Sequence, residues 1–183
     1  MQAEIKFAGF GGQGIMLIGK IMAIAAMDAG KEVAWIPSYG PEMRGGTAYC
    51  TVVFSDRPIG SPIIDAPGHL VVMNRPSLEK FAPQMKPGGV CLVNRSLIPI
   101  GADRDDIDEV RVPCNEIANE LGNPRVANIV ALGAFARRSG LIDSDVVKRA
   151  VEREFGKKPK LIPINMQAFD RGAEAAMAPS GAA

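Results

Sequence analysis

The chain has 183 residues, with 21 lysines and arginines against 20 aspartates and glutamates, so its formal net charge is +1. Aromatic residues make up only 5%. Because nucleic-acid-binding proteins usually present a basic face, and single-strand binders add stacking rings, this composition argues against a nucleic-acid partner. A hydrophobic content of 47% with 22% charged residues is typical of a globular protein, and the length predicts one domain over 1–183.

The first part of the chain predicts a strand, a helix and a second strand. Residues 3–9 read as a strand, and residues 15–29 form a helix that is apolar on nearly every side, which is typical of a buried helix. Gly30 stands where a helix ends, and residues 32–36 follow as the second strand. This order predicts a right-handed crossover between parallel strands.

The rest of the chain adds further strands and helices to this unit. Strands are predicted at 47–55, 69–74, 90–94 and 109–112, and helices at 77–85, 115–121, 126–139, 143–155 and after Met166. Because the helices at 15–29 and 126–139 are almost free of polar residues, the sheet should be covered on both faces. The predicted fold is a three-layer α/β/α, Rossmann-like domain with a mostly parallel sheet, and the residues after about 176 are predicted to be a disordered tail.

The cysteines and the single histidine limit the chemistry that this chain can perform. Cys50, Cys91 and Cys114 are far apart, and no CxxC occurs, so no local run could hold an iron–sulfur cluster or a structural zinc. We expect them to be reduced, buried thiols of a cytoplasmic protein. His69 opens a predicted strand and is expected to be hydrogen-bonded there rather than to act as a base.

The sequence predicts no association with a membrane. The N-terminus alternates polar and apolar residues and has no continuous apolar segment of the signal-peptide kind. The longest apolar stretch, residues 15–27, is interrupted by Lys20 and is shorter than a membrane span requires.

A glycine-rich turn joins the first strand to the first helix. Gly9, Gly11, Gly12, Gln13 and Gly14 satisfy the G-x-G-x-x-G spacing at a strand-to-helix junction. Glycines allow the backbone to approach a phosphate, and free amides at a helix start attract an anion. The alternative is that these glycines only make a tight turn and allow close packing of the helix on the strand.

The motif is incomplete for NAD. A dinucleotide site places a ribose-binding carboxylate at the end of the second strand, where this chain has Pro37, Ser38 and Tyr39. Glu32 lies at the wrong end of that strand. The residues therefore argue against a dinucleotide, although a self-sufficient enzyme or module binding NAD, FAD or coenzyme A remains the alternative interpretation of the turn.

A second glycine-rich loop follows the second strand. Loops at the carboxyl ends of parallel strands are where ligands bind, and we expect this loop to lie beside the glycine turn because both would follow adjacent strands. Arg44 could then present its planar group to a phosphate or carboxylate. Alternatively, these charges contact solvent or a partner subunit. The candidate residues of the loop are Ser38, Tyr39, Glu42, Arg44, Gly45 and Gly46.

These motifs resemble a known family. The turn at 9–14, the run from Pro37 to Gly46 and the pair Ser61-Pro62 are similar to the gamma subunit of the 2-oxoacid:ferredoxin oxidoreductases, whose members use 2-oxoglutarate, branched-chain 2-oxoacids or pyruvate. The resemblance extends from Ile5 to about residue 175, and the second loop is the more specific part of it.

The resemblance implies a role in a multi-subunit enzyme. Such an assembly cleaves a 2-oxoacid on thiamine diphosphate with Mg²⁺, passes electrons through iron–sulfur clusters to ferredoxin and transfers the acyl group to coenzyme A. The cofactors would belong to alpha, beta and ferredoxin-like delta subunits, and no catalytic residue is assigned to this chain. It would help to form the region through which coenzyme A enters, with both glycine loops near its phosphates, or it would serve only as a structural brace.

Overall fold

The computed structural model describes residues 1–38 and 47–177. This part of the chain contains six strands and six α-helices. The strands are β1 (Gln2–Phe10), β2 (Glu32–Pro37), β3 (Thr47–Ser55), β4 (His69–Val72), β5 (Val90–Asn94) and β6 (Asp108–Val112). The helices are α1 (Ile15–Asp28), α2 (Arg75–Phe81), α3 (Cys114–Glu120), α4 (Ala127–Ser139), α5 (Ser144–Glu154) and α6 (Ile162–Ala175).

The strands form one mixed sheet in the order β2-β3-β1-β4-β5-β6. β1, β4, β5 and β6 pair in parallel, whereas β3 pairs antiparallel with both β1 and β2. Five of the six strands therefore point the same way, and their carboxyl ends share one edge of the sheet. The prediction of a three-layer α/β fold with a mostly parallel sheet is confirmed.

One predicted feature of the sheet is wrong. We expected β1 and β2 to be neighbours, but β3 lies between them and pairs with β1 along its whole length, from Gln2 opposite Ser55 to Phe10 opposite Thr47. β2 still runs parallel to β1, two strands away. The glycine turn and the residues after Pro37 thus follow strands about 10 Å apart, twice the usual strand spacing, rather than adjacent strands.

The two faces of the sheet are covered unequally. On the first face, α1 and α3 to α6 pack on the side chains of Ile5, Phe7 and Leu92, which form the larger core. On the second face, α2 and the 3₁₀ turn Ala82–Gln84 pack on Leu70 and Val72 in a smaller core. Successive side chains of a strand point to opposite faces of the sheet, so the same apolar strands contribute side chains to both cores.

The helix α4 is central to the first face, with ten of its residues buried. It crosses α6 so closely that a Cβ added at Gly133 would lie 2.1 Å from the carbonyl oxygen of Phe169. A Cβ at Gly172 would lie 2.0 Å from the carbonyl oxygen of Val130. Glycine at both positions is therefore required by the backbone contact itself.

Two helices start earlier than the sequence indicates, and in both a proline lies in the first turn. α2 begins at Arg75 because the Asn74 side chain accepts a hydrogen bond from the Ser77 amide at 2.9 Å. α6 begins at Ile162, with a proline after it, instead of after Met166. Proline lacks an amide hydrogen, which costs nothing at the start of a helix, where the amide would have no acceptor. None of the described helices is long and apolar enough to cross a membrane.

His69 is hydrogen-bonded at the start of β4, as the sequence predicts. Its Nδ1 accepts a hydrogen bond from the amide of Val90 at 3.1 Å, and its ring packs edge-on against Phe135. Burial lowers the pKa of His69 below its ordinary value of 6.5. Protonation of Nδ1 would also remove the acceptor of the Val90 amide, so the folded state favours the neutral ring.

We therefore predict that stability falls as the pH decreases through the range just below 6.5. The folded-state pKa of His69 lies below the unfolded one, so its contribution is complete above the unfolded pKa and is lost as the pH falls through the folded pKa. The slope from one proton is at most about 1.4 kcal/mol per pH unit. Urea unfolding between pH 7.5 and 5 measures it, and His69→Gln should flatten this part of the profile. An equal slope in His69→Gln would contradict the assignment.

Candidate functional site

The candidate site lies where the connections of the sheet diverge. From β1 the chain passes through α1 on the first face toward β2, whereas from β4 it passes through α2 on the second face to β5. Beyond the carboxyl ends of β1 and β4 the two connections separate and leave a crevice. Such divergence points are the usual ligand sites of open α/β sheets.

The glycine turn forms one side of this crevice. Gly12 and Gly14 have positive φ angles of 90° and 73°, a conformation that side chains rarely adopt. A Cβ at Gly9 would lie 2.6 Å from Oε1 of Gln13 and 2.9 Å from Ile15. Gly12 and Gly14 are thus favoured by the backbone of the turn, and Gly9 by the packing of the Gln13 and Ile15 side chains against it, which agrees with the packing alternative stated above.

Gln13 connects the ends of β1 and β4. Its Oε1 accepts a hydrogen bond from the amide of Phe10 at 2.6 Å, and its Nε2 donates to the carbonyl oxygen of Met73 at 3.1 Å. Both polar atoms of the side chain are therefore engaged with the backbone. Gln13 determines the position of the turn relative to β4.

A second side chain holds the end of the turn from across the site. Asn128, at the start of α4, donates from Nδ2 to the carbonyl oxygen of Gly14 at 3.3 Å. The same amide occupies the space beside Gly14, because a Cβ there would lie 2.2 Å from Nδ2. Asn128 was not predicted from the sequence. Only the fold brings α4, more than a hundred residues later, against the turn.

Between these elements lies a cavity of about 410 Å³, within the range typical of small-molecule sites. Arg125, in the 3₁₀ turn Pro124–Val126, is the one cationic residue that lines it in the described part of the chain. The arginine is exposed and forms no ion pair within residues 1–38 and 47–177. The lining residues are Gly12, Gln13, Gly14, Leu17, Met73, Asn115, Pro124, Arg125, Ala127 and Asn128.

The start of α1 adds to the positive potential of the cavity. Gly14 provides no side-chain cap, and no acidic residue lies in the first turn of the helix. The amides of that turn have no acceptor within the helix and carry partial positive charge. Together with the Arg125 guanidinium, they make the cavity suitable for an anion such as a phosphate.

Amide side chains order the far end of the cavity. Asn94 donates to Oδ1 of Asn115 at 2.7 Å and accepts from the amide of Cys114 at 3.2 Å. The Asn115 amide in turn donates to Oγ of Ser96 at 3.0 Å. These hydrogen bonds provide acceptors for the first backbone amides of α3. They also hold Asn115 at the cavity, with its side-chain oxygen already hydrogen-bonded to Asn94.

The structure brings together only part of the predicted site. The turn residues from Gly12 to Gly14 line the cavity, and Gly11 lies exposed beside them. Ser38 directly follows the edge strand β2 and does not line the cavity. Its backbone amide donates a hydrogen bond to the carbonyl oxygen of Tyr49 at 2.9 Å. The other predicted residues of the second loop, Tyr39, Glu42, Arg44, Gly45 and Gly46, lie outside the described residues.

The cysteines are buried and not bonded to one another, as expected. Burial raises the pKa of the Cys50 and Cys91 thiols to about 12, and it raises that of Cys114 further still. All three thiols are therefore protonated at neutral pH and poor nucleophiles. Within 1–38 and 47–177, no group of three histidine, cysteine, aspartate or glutamate side chains could hold a metal ion.

Comparison with known proteins decides the family. The model of the pyruvate ferredoxin/flavodoxin oxidoreductase family matches residues 4–175. The chain belongs to this family. It is 38% identical over 175 residues to ketoisovalerate oxidoreductase subunit VorA of Methanothermobacter marburgensis, covering 94% of this chain but only 36% of that relative. The chain thus spans about a third of the length of that relative.

Two solved structures share the fold closely. One is the gamma subunit of a keto/oxoacid ferredoxin oxidoreductase from Geobacter sulfurreducens, with a TM-score of 0.87, 32% identity and coverage of 97% of this chain and 98% of that one. The other is the 2-oxoglutarate:ferredoxin oxidoreductase of Magnetococcus marinus with 2-oxoglutarate, coenzyme A and succinyl-CoA bound, with a TM-score of 0.87 and 28% identity. It matches 99% of this chain and 32% of that larger one.

We predict that Gly14 and Asn128 are energetically coupled. Gly14→Ala should destabilise the protein by about 2 kcal/mol or more, because alanine is disfavoured at positive φ and its Cβ would collide with the Asn128 amide. In Asn128→Ala the obstruction is absent, so the same substitution should cost about 1 kcal/mol less. Urea unfolding of the two single variants and the double variant measures this coupling, and simple additivity would refute it.

Proposed function

We propose that this chain is the gamma subunit of a multi-subunit 2-oxoacid:ferredoxin oxidoreductase. The family match over residues 4–175 carries the proposal, and the Geobacter gamma subunit, almost fully covered by this chain, supports it. The complete enzyme would convert a 2-oxoacid to an acyl-coenzyme A and pass the electrons to ferredoxin. Thiamine diphosphate, Mg²⁺ and iron–sulfur clusters would be bound by the alpha, beta and ferredoxin-like delta subunits.

Within that enzyme, the cavity beside the glycine turn would bind the phosphate groups of coenzyme A. The described residues there fit an anion, because the first turn of α1 offers free amides and Arg125 offers a guanidinium with no counter-charge among them. Gln13 and Asn128 would act as positioning residues that hold the turn. The coenzyme A named with the Magnetococcus structure makes this ligand the first to test.

The alternative of a self-sufficient enzyme that binds NAD or FAD is less well supported. The end of β2 has no carboxylate to bind a ribose, since Pro37 and Ser38 stand there, and the named relatives are subunits of larger oxidoreductases. Titration of the full chain with NADH and FAD tests this alternative. Tight binding together with turnover by the chain alone would favour it.

Assembly with the partner subunits tests the proposed function directly. Co-expressed with the alpha, beta and delta subunits of such an enzyme, the chain should co-purify in a brown complex that contains thiamine diphosphate. Reduction of ferredoxin with pyruvate, 2-oxoglutarate or ketoisovalerate should require coenzyme A and should be lost when this chain is omitted. Oxidation of any of these acids by the chain alone, or a fully active complex without it, would contradict the proposal.

The second prediction concerns Arg125. In the assembled enzyme, Arg125→Ala should raise KM for coenzyme A about 10-fold, the effect of losing one charged hydrogen bond. The values of kcat and of KM for the 2-oxoacid should stay unchanged, because the interaction would be made equally in the ground state and the transition state. KM for pantetheine, which lacks the phosphates, should be the same in the wild type and in the variant.

Arg149→Ala is the matched control, because Arg149 is an exposed arginine on α5 away from the cavity. It should leave KM for coenzyme A unchanged. Arg44→Ala tests the second loop in the same assay. If both Arg125→Ala and Arg44→Ala weaken assembly but leave the affinity for coenzyme A unchanged, the chain is a structural brace and the binding site is refuted.

A further inference from the structure

Among the described residues, three amide side chains line the cavity, and two of them are already occupied by the protein. Gln13 both accepts from and donates to the backbone. Asn128 donates from Nδ2 to the glycine turn, and its Oδ1 accepts from the amide of Ile129 at 2.9 Å. Asn115 differs, because its Oδ1 accepts from Asn94 while its Nδ2 donates to no group in the described part of the chain.

The orientation of the Asn115 amide is set by a chain of hydrogen bonds that begins at the backbone. The amide of Cys114 can only donate, so the atom of Asn94 that faces it at 3.2 Å must be the oxygen Oδ1. The nitrogen of Asn94 then faces Asn115 at 2.7 Å and requires an oxygen there. Reversing either side chain, or both, would place two donors or two acceptors opposite each other. Asn115 therefore has a nitrogen, and not an oxygen, left for a ligand.

Burial and a second anchor make this orientation rigid. Asn94 is completely buried, so its two hydrogen bonds cannot be replaced by bonds to water if the amide rotates. The backbone amide of Asn115 donates to Oγ of Ser96 at 3.0 Å, and the Ser96 hydroxyl donates its one proton to Glu116. The side chain and the main chain of Asn115 are thus held separately. Its nitrogen is in position before any ligand arrives.

The free donor of Asn115 agrees with the other groups at the cavity. The guanidinium of Arg125 and the first amides of α1 can also only donate. Each of the three amide oxygens, by contrast, already accepts a hydrogen bond from the protein. A ligand group that only accepts, such as an ionised phosphate oxygen, therefore matches the described side chains better than a group that must donate.

We propose that Asn115 donates a hydrogen bond from Nδ2 to a phosphate oxygen of coenzyme A, and that Asn94 is the positioning residue that keeps this nitrogen available. Asn94 touches no ligand itself, because it is buried behind Asn115. The inference deepens the proposed function and rests on it, since it requires coenzyme A in this cavity. It distinguishes Asn115, which contacts the ligand, from Gln13 and Asn128, which hold the turn.

Two substitutions of Asn115 in the assembled enzyme test the contact. Asn115→Ala should raise KM for coenzyme A about 10-fold, the effect of losing one hydrogen bond to a charged group. Asn115→Asp keeps the shape and the oxygen that Asn94 binds but replaces the donor by a charged oxygen, so KM should rise about 100-fold. The values of kcat and of KM for the 2-oxoacid and for pantetheine should stay unchanged. The melting temperature of Asn115→Asp should not fall, because aspartate is favourable in the first turn of a helix.

A double-mutant cycle tests the positioning role of Asn94. Asn94→Ala should raise KM for coenzyme A about 5-fold, because Asn115 can then turn its oxygen toward the ligand. In the Asn115→Ala background the same substitution should leave KM unchanged, although it should lower the melting temperature in both. A purely structural role would raise KM equally in the two backgrounds. Asn94→Ser gives the same comparison with a smaller loss of stability, because its hydroxyl can accept from the Cys114 amide but is too short to reach Asn115.

Asn119→Asp is the matched control, because it introduces the same charge at an exposed position of α3 that does not line the cavity. It should change KM for coenzyme A by less than about 2-fold.

An unchanged KM for coenzyme A in Asn115→Ala and Asn115→Asp would overturn the inference, as would an equal rise in Asn119→Asp. An equal rise in KM for pantetheine would overturn it as well, because the contact would then not be with a phosphate. If any of these results accompanies a raised KM in Arg125→Ala, the proposed function stands and only the role of Asn115 fails. If the chain does not assemble with the other subunits, the proposed function itself fails, which is seen before any variant is compared.

Discussion

The two hydrogen bonds of Gln13 hold the ends of β1 and β4 together at the point where the connections of the sheet diverge, and the candidate site depends on them. The amide of Met73 already donates to the carbonyl oxygen of Ala8 at 2.9 Å, and the Gln13 bridge extends this link to the glycine turn and the start of α1. Asn128 completes the arrangement from α4. A small-molecule site is precise only when such supporting residues determine the position of the groups that touch the ligand.

The cavity and the buried lysine Lys6 lie in different parts of the sheet. The cavity lies beyond the carboxyl ends of the parallel strands, where positive partial charges of the backbone and one arginine meet. Lys6 lies on the second face, where its ammonium group is buried against the rings of Phe81 and Tyr49.

The antiparallel strand β3 accounts for the largest difference between the predicted and the observed sheet. Sequence patterns predict the strand itself but not which strands it pairs with, because pairing is a contact between distant segments. β3 separates β2, and with it Pro37, from β1. The alternating apolar residues of β1, the apolar helices α1 and α4 and the breaks at Gly30 and Gly122 are local features, and these were predicted correctly.

The sequence by itself determined the class of fold, the existence of nearly every element, the glycine turn and the resemblance to one family, because periodicity, turn chemistry and motifs are properties of neighbouring residues. Only the tertiary structure decided the order of the strands, the contact of Asn128 with Gly14, the place of Arg125 at the cavity and the burial of Lys6 against Tyr49 and Phe81. Each of these joins residues that are far apart in the chain, and such contacts are fixed when the helices and strands pack together rather than by any local pattern.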